Sequence, residues 1–285
     1  MRRKISVVGA GAVGSATSLL LGRRPDADIV LVDSDERRAR ARALDLTAAV
    51  ALDGGAGSVR GGTWNDAAGS EVVVIALGGP DPLGGVRQVG VEIARRAPDA
   101  VVVVVTTPVD AATRAAIDAT CFPRGRVIGL GTVVDSARMR SLMAQAADVS
   151  VTAVQGVVLG AHGGVLVPVT STATIAGRPA VEVLGTDGLD AVVAAVAGAG
   201  ENLVDGLGER PGLLAPAAAV TEVVAAIVDD SRHVLPCSAL CQGELGIDDS
   251  VLAVPVVLGA DGIAAIVDMT MAENERLALL AAADA

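Results

Sequence analysis

Gly9, Gly11 and Gly14 stand in the run Gly9-Ala10-Gly11-Ala12-Val13-Gly14, after the apolar stretch 5–8 and before a helix-like stretch, 15–22. A glycine-rich turn between strand and helix suits a phosphate anion. Gly9 permits the tight turn, Gly11 lets a pyrophosphate approach the backbone, and Gly14 allows helix and strand to pack closely. The helix N-terminus, with Ala12 and Val13 in its first turn, adds N–H donors and partial positive charge. Asp33 closes the next apolar run, 19 residues after Gly14. A carboxylate there accepts hydrogen bonds from ribose hydroxyls and repels a 2'-phosphate, which favours NAD over NADP. A plain turn followed by a helix-capping Asp is the bland alternative, and the joint spacing speaks against it. The expected cofactor is NAD.

A turn of this kind needs a sheet to carry it. Residues 5–8, 29–32, 72–77, 101–106 and 127–129 are short, β-branched runs bounded by Gly, Asp, Pro or Thr. Such continuous apolar runs suit strands buried on both faces, as in a parallel sheet. Helical stretches such as 34–52 lie between them. The pattern changes after Asp135. A helix is expected over 136–147, extended segments over 149–159 and 165–175, and helices over 189–207 and 216–230. A strand pair over 250–257 and 263–269 and a closing helix over 272–283 complete the chain. The expected fold is α/β: a Rossmann-type doubly wound parallel sheet over residues 1–134, then an α+β substrate or catalytic domain over 135–285.

Composition narrows the function classes. The 285 residues are 52% hydrophobic, enough for two modest domains with real cores. One Trp, one Phe and no Tyr leave packing to Val, Ala, Leu and Ile and exclude base stacking on aromatic platforms. Twenty-two basic against 33 acidic residues give a net charge of −11, which repels nucleic acid and anionic membranes. Cys121, Cys237 and Cys241 form neither a disulfide framework nor a metal-ligand pattern, so no metal is expected and the thiols read as reduced. No window of about 18 residues is free of charge and turn residues, so no membrane span is expected. These features describe a soluble, cytoplasmic protein.

Two further segments carry chemistry: Gly131-Thr132-Val133-Val134-Asp135-Ser136-Ala137-Arg138 and Val157-Val158-Leu159-Gly160-Ala161-His162-Gly163. Together with GAGAVG and the later VPVVLGADGI they resemble the lactate/malate dehydrogenase family, the NAD-dependent L-2-hydroxy acid dehydrogenases. GTVVDSAR is close to the family's GTxLDSAR, and LGAHG to its LGEHG. The similarity runs from residue 5 to about 280. It implies reduction of a 2-oxo acid to an L-2-hydroxy acid. His162 would be the general acid/base, since imidazole titrates near neutral pH. Asp135 would hold its second nitrogen and stabilise the imidazolium. Arg138 would grip the substrate carboxylate with its planar fork. Arg87, on the Gly-rich segment 78–87, resembles the arginine of the family's closing loop and would polarise the carbonyl. Taken singly, these could be a satisfied polar His, a helix N-cap beside a surface Arg, and a solvated loop Arg. Their family order favours the catalytic reading. His233 is read as structural.

Several positions depart from the family. Thr107 stands where an asparagine usually precedes Pro-Val and contacts substrate and nicotinamide. Ala161 and Gly164 replace acidic residues flanking His162. Only ten residues separate Arg87 from Pro98, so a helix beside the active-site loop is expected to be shortened. Six residues before Arg87, where malate enzymes carry an Arg and lactate enzymes a Gln, stands Asp81. Its charge would disfavour a dicarboxylic substrate. Gly212 falls at a pocket position commonly filled by a larger residue. The expected substrate is therefore a neutral or amino-bearing 2-oxo acid larger than pyruvate, and not that of malate enzymes. The resemblance also implies a homodimer or homotetramer, with apolar faces at 43–52 and 217–228 available for contact or core. The rival expectation is an NAD-binding sensor or scaffold whose active site has drifted.

Overall fold

Valine and isoleucine fill the runs that read as strands, and in the structure those runs lie side by side. The structure is a computed structural model and describes residues 2–207 and 212–284. By packing, the chain divides into two compact units. The first comprises Met1–Leu130, Leu213–Val234 and Val257–Ala265; the second comprises Gly131–Gly212, Leu235–Val256 and Ile266–Ala285. Both units are discontinuous, whereas the sequence reading drew one boundary after residue 134.

The first unit opens with β1 (Arg3–Val8), α1 (Ala12–Gly22), β2 (Ala27–Val32), α2 (Glu36–Leu52), β3 (Ser58–Gly62) and α3 (Trp64–Ala67). It continues through β4 (Val72–Ile75), α4 (Pro82–Arg96), β5 (Val101–Val104), α5 (Val109–Thr120) and β6 (Val127–Gly129). The strands run parallel in the order β3-β2-β1-β4-β5-β6. Register aligns Val8 with both Val32 and Ile75, and Ile75 with Val104. The segments after β1, β2, β4 and β5 therefore open at one sheet edge. That edge is where open α/β sheets bind ligands.

The second unit holds α6 (Val133–Ala146), β7 (Val154–Gly160), β8 (Leu166–Ile175), β9 (Arg178–Pro179), α7 (Ala180–Ala197) and α8 (Ala199–Leu207). The chain then returns to the first unit as α9 (Leu214–Val228). It ends with β10 (Val234–Gln242), β11 (Asp248–Gly259), β12 (Gly262–Ile266) and α10 (Glu273–Ala283). β7 pairs antiparallel with β8, and α6 packs on β7 through Met139 and Met143, both fully buried.

Two elements differ from the sequence reading for identifiable reasons. The segment read as a Gly-rich loop around Arg87 is helical: α4 starts at Pro82 and holds Arg87 in its second turn. Asp81 caps it, Pro82 supplies a preset φ at the first position, and Val86, Gly90 and Ile93 bury one stripe. α4 is fifteen residues long and ends at Arg96. The β4–α4 connection spans residues 76–81. β10 was not foreseen either, because Pro236 and Ser238 interrupt an otherwise apolar run. Cys237 and Cys241 are both buried in it. The 217–228 face belongs to the core: Ala217, Val220, Val223, Val224 and Ile227 are buried, and α9 packs on α1. Arg24 grips Asp229 at its end with two hydrogen bonds, 2.8 and 2.6 Å long.

α10 is tied to β8 by one carboxylate. Glu275, 6% exposed, accepts hydrogen bonds from the Thr170 and Ser171 amides at 2.8 and 3.0 Å and from the Ala272 amide at 2.8 Å. The hydroxyls of Thr170 and Ser171 add two more, at 3.1 and 2.5 Å. Burial alone would push this carboxyl's pKa up. The bonds from Ser171, Ala272 and Thr170 outweigh burial and hold it below the usual carboxylate range. Stability from Glu275 is thus fully present above the unfolded-state carboxyl pKa and lost as pH falls through the folded one. Glu275→Ala is expected to cost about 2–4 kcal/mol at neutral pH and much less in acid, measured by denaturant unfolding at both. An equal cost at both pH values would refute this account.

Candidate active site

The sheet edge of the first unit is shaped for a dinucleotide. Gly9 has φ +112°, and a Cβ there would meet the Ala76 carbonyl oxygen at 2.2 Å. A Cβ on Gly14 would meet the Gly9 carbonyl oxygen at 2.0 Å, so only glycine lets α1 sit this close to the turn. Gly11 is different. A Cβ on it would meet nothing within 4 Å and would fill the space above the turn that a pyrophosphate needs. Gly11 also caps α1 without a side-chain bond, and the first turn, with Ala12 and Val13, carries no acidic residue. The helix N-terminus thus keeps its amides and partial positive charge for an anion.

Asp33 is fixed from three sides. Its Oδ2 accepts from the Ala10 amide at 2.8 Å, and its Oδ1 accepts from the Asp35 amide at 2.9 Å and from Arg38 at 2.5 Å. Burial pushes the pKa up, but Arg38 and the two amides prevail and hold the carboxyl below its usual range. A charged, oriented carboxylate beside the glycine turn is what ribose recognition requires. The residues fit NAD.

In the second unit the catalytic candidates meet. Asp135 stands in the first turn of α6 with its side chain 3% exposed. Its Oδ2 lies 2.7 Å from His162 Nδ1, and its Oδ1 accepts from Arg138 Nη1 at 3.0 Å. Arg138 follows Asp135 by three residues, so one helix face presents both. His162 sits on a tight turn closed by the Gly164 amide donating to the Ala161 carbonyl at 3.0 Å. Gly163 takes φ +86° at the third turn position, which favours glycine. Ala161 and Gly164 are thus the ends of this turn. The pairing can hold one tautomer, stabilise an imidazolium and set a guanidinium beside it.

The remaining predicted residues are placed differently. Arg87 is exposed on α4 rather than carried by a loop. The segment before it is pinned: the Leu77 amide donates to Thr106 Oγ1 at 2.8 Å, and the Gly84 amide donates to Asp81 Oδ1 at 2.9 Å. Asp81 is therefore the N-cap of α4, with its carboxylate exposed. Thr107 is exposed between β5 and α5, just before Pro108. Gly212 lies just before α9, and residues 208–211 of its segment lie outside the described residues. Sequence reasoning missed Thr106, whose buried hydroxyl holds the β4–α4 connection. The only signal was a hydroxyl in an otherwise apolar strand end.

Comparison with known proteins shows the family. The model for the lactate/malate dehydrogenase NAD binding domain matches residues 3–129, and that for the family's alpha/beta C-terminal domain matches residues 132–285. A malate dehydrogenase of Thermomicrobium roseum is 39% identical over 298 residues, covering 100% of this chain and 96% of the relative. The solved malate dehydrogenase of Salinibacter ruber superposes with a TM-score of 0.93 at 32% identity, covering 99% of this chain and 94% of that one. A lactate dehydrogenase of Cryptosporidium parvum, solved with lactic acid and nicotinamide adenine dinucleotide, gives 0.95 at 28% identity, covering 100% and 95%. Relatives named malate dehydrogenase give no support to the expected exclusion of malate.

Proposed function

The chain belongs to the lactate/malate dehydrogenase family and is an NAD-dependent 2-hydroxy acid dehydrogenase, and from that premise we propose how its own residues carry the reaction. His162 gives a proton from Nε2 to the carbonyl oxygen of a 2-oxo acid and takes it back in the reverse direction. Asp135 holds the Nδ1 proton and stabilises the imidazolium. Arg138 spends one of its five N–H donors on Asp135 and turns others to the substrate carboxylate. When bound, the nicotinamide supplies or accepts the hydride. Thr107, with a short hydroxyl, would meet the nicotinamide and the substrate. Residues 1–134 serve the cofactor and 135–285 the substrate, with 213–234 and 257–265 lent to the first group by packing. The observation that carries this reading is the 2.7 Å contact between Asp135 and His162, with Arg138 on the carboxylate's other oxygen.

For the substrate, we propose that oxaloacetate and malate are accepted but weakly distinguished from their monocarboxylic counterparts. The relatives' names favour the dicarboxylic pair. Yet residues 61–86 contain no Lys or Arg, and Asp81 is committed to capping. Arg87, exposed in the second turn of α4, would polarise the carbonyl. A sensor that binds NAD without turnover would have no use for the hydrogen bonds joining Asp135, Arg138 and His162. We also propose a cytoplasmic homo-oligomer; α2 presents Leu44 and Leu52 outward, 77% and 90% exposed. Among the described residues no helix is long and apolar enough to cross a membrane.

NADH oxidation against oxaloacetate, pyruvate and branched or amino-bearing 2-oxo acids tests the proposal. Expected are turnover of oxaloacetate and a kcat/KM advantage over pyruvate of about tenfold or less, since a second charged contact is worth more than that. Silence toward every 2-oxo acid, with NADH bound, would overturn the enzymatic reading. A preference for oxaloacetate above about a hundredfold would overturn only the weak discrimination.

A further inference from the structure

Three side chains of α6 and its cap, spaced four apart, all reach the backbone of β7. Thr132 Oγ1 donates to the Val158 carbonyl at 2.5 Å. Ser136 Oγ accepts from the Val158 amide at 2.8 Å. Arg140 Nη1 donates to the Gly156 carbonyl at 3.3 Å. Thr132 and Ser136 are both fully buried. Across the β7–β8 ladder Val158 faces Pro168, a residue with no amide proton to give. Val158 directs both its amide and its carbonyl to α6, so the 158–168 pair exchanges no hydrogen bond and tolerates the proline.

The spacing explains why a helix can do this. Four helical residues rise about 6 Å, and two strand residues advance about 6.6 Å. Side chains at 136 and 140 therefore meet alternate residues of the strand, Val158 and Gly156, as a neighbouring strand would, while Thr132 shares Val158 with Ser136. Thr132 shows the cost. At the N-cap its hydroxyl would ordinarily accept from the first turn, yet it makes no capping bond and is spent on β7. The start of α6 is also pressed on β10. The Thr132 amide donates to the Pro236 carbonyl at 3.1 Å, and a Cβ on Gly131 would meet that carbonyl at 2.6 Å.

We propose that Ser136, with Thr132 and Arg140, is a positioning residue that fixes the register of α6 against β7 and so sets Asp135 against His162. The inference rests on the reading of Asp135 and His162 given above. Asp135 precedes Ser136 directly, and His162 follows Val158 by four residues, so both ends of the 2.7 Å contact hang from this one docking. A slip of α6 by a fraction of a turn would part them.

The test uses Ser136→Ala, Ser136→Thr and Arg140→Met in the whole enzyme, with 15N-labelled histidine. The chain has only two histidines, so His162 and His233 separate cleanly. Expected in Ser136→Ala is loss of the single Nδ1–H tautomer of His162 while His233 is unmoved. kcat should fall on the order of 10–100-fold, the usual cost of misplacing a catalytic group by about 1 Å, with NADH affinity kept. Ser136→Thr should recover part of both, and Arg140→Met should move both in the same direction by less. Should Ser136→Ala fail to fold, Arg140→Met decides. A variant that lowers Tm but leaves the His162 tautomer and kcat within twofold of the parent would overturn the proposal. If the parent enzyme turns over no 2-oxo acid, the functional reading fails, yet the tautomer spectrum still judges the docking stripe.

Discussion

Replacing His162 with asparagine is expected to lower 2-oxo acid reduction by about 10²–10⁴-fold, the range that a positioned general acid contributes. The carboxamide is near the imidazole in size and can still face Asp135 Oδ2, so the turn closed by Ala161 and Gly164 should persist. What it lacks is a proton that leaves and returns near neutral pH. NADH binding is expected to stay within about twofold, because Gly9, Gly11, Gly14 and Asp33 belong to the other compact unit. Steady-state turnover and NADH fluorescence titration check the two halves of this result. A variant retaining more than a tenth of parental turnover would remove His162 from the proton path.

Asp135→Asn tests the second half of the pair. The substituted amide offers an N–H where the carboxylate accepted one, which favours the wrong imidazole tautomer and withdraws the charge that stabilises imidazolium. A loss on the order of 10⁴-fold is expected in reduction, comparable with loss of the same partner in other carboxylate–histidine pairs. The variant also deprives Arg138 of its described ion pair, so substrate KM should rise while NADH affinity holds. The sign of the pH response separates this from general damage. Reduction by Asp135→Asn should recover as pH falls, when solvent protonates more of the imidazole. A uniform loss across pH, accompanied by a lower Tm, would show that Asp135 acts through folding instead.

Some of this was legible before any coordinates. GAGAVG after an apolar run, with Asp33 beyond, defines a local structure in which each residue has a separate duty. Valine runs buried on both faces admit little besides a parallel sheet. His162, Asp135 and Arg138 were singled out because GTVVDSAR and LGAHG resemble the family's motifs, and their side chains do meet. The 76–87 region misled for a physical reason: Gly84, Gly85 and Gly90 lower helix propensity, and tertiary burial of Val86 and Ile93 together with the Asp81 cap overrides it. Asp81 itself illustrates the limit. A carboxylate aligned with a substrate-selecting position says nothing about whether a nearby helix has already claimed it. Ser136 and Thr132 were invisible as positioning residues, because their partners are backbone atoms of Val158 and carry no side-chain signature.

The union of α9 with α1, sealed by Arg24 on Asp229, has a consequence for the order of events during synthesis. The glycine turn and Asp33 leave the ribosome well before α9 is made. The helix that covers their sheet emerges only after residue 213, and the last strand segment of that unit only after residue 257. Nascent chain must therefore hold an unfinished parallel sheet in waiting while the whole stretch from Gly131 to Gly212 is made and folds. Any stop codon before α9 leaves a nucleotide cradle with one flank bare, so fragments ending near residue 134 should be substrates for chaperones and proteases rather than small nucleotide-binding domains. In a chain of this design the segments 213–234 and 257–265 complete a unit begun more than 80 residues earlier, at 1–130.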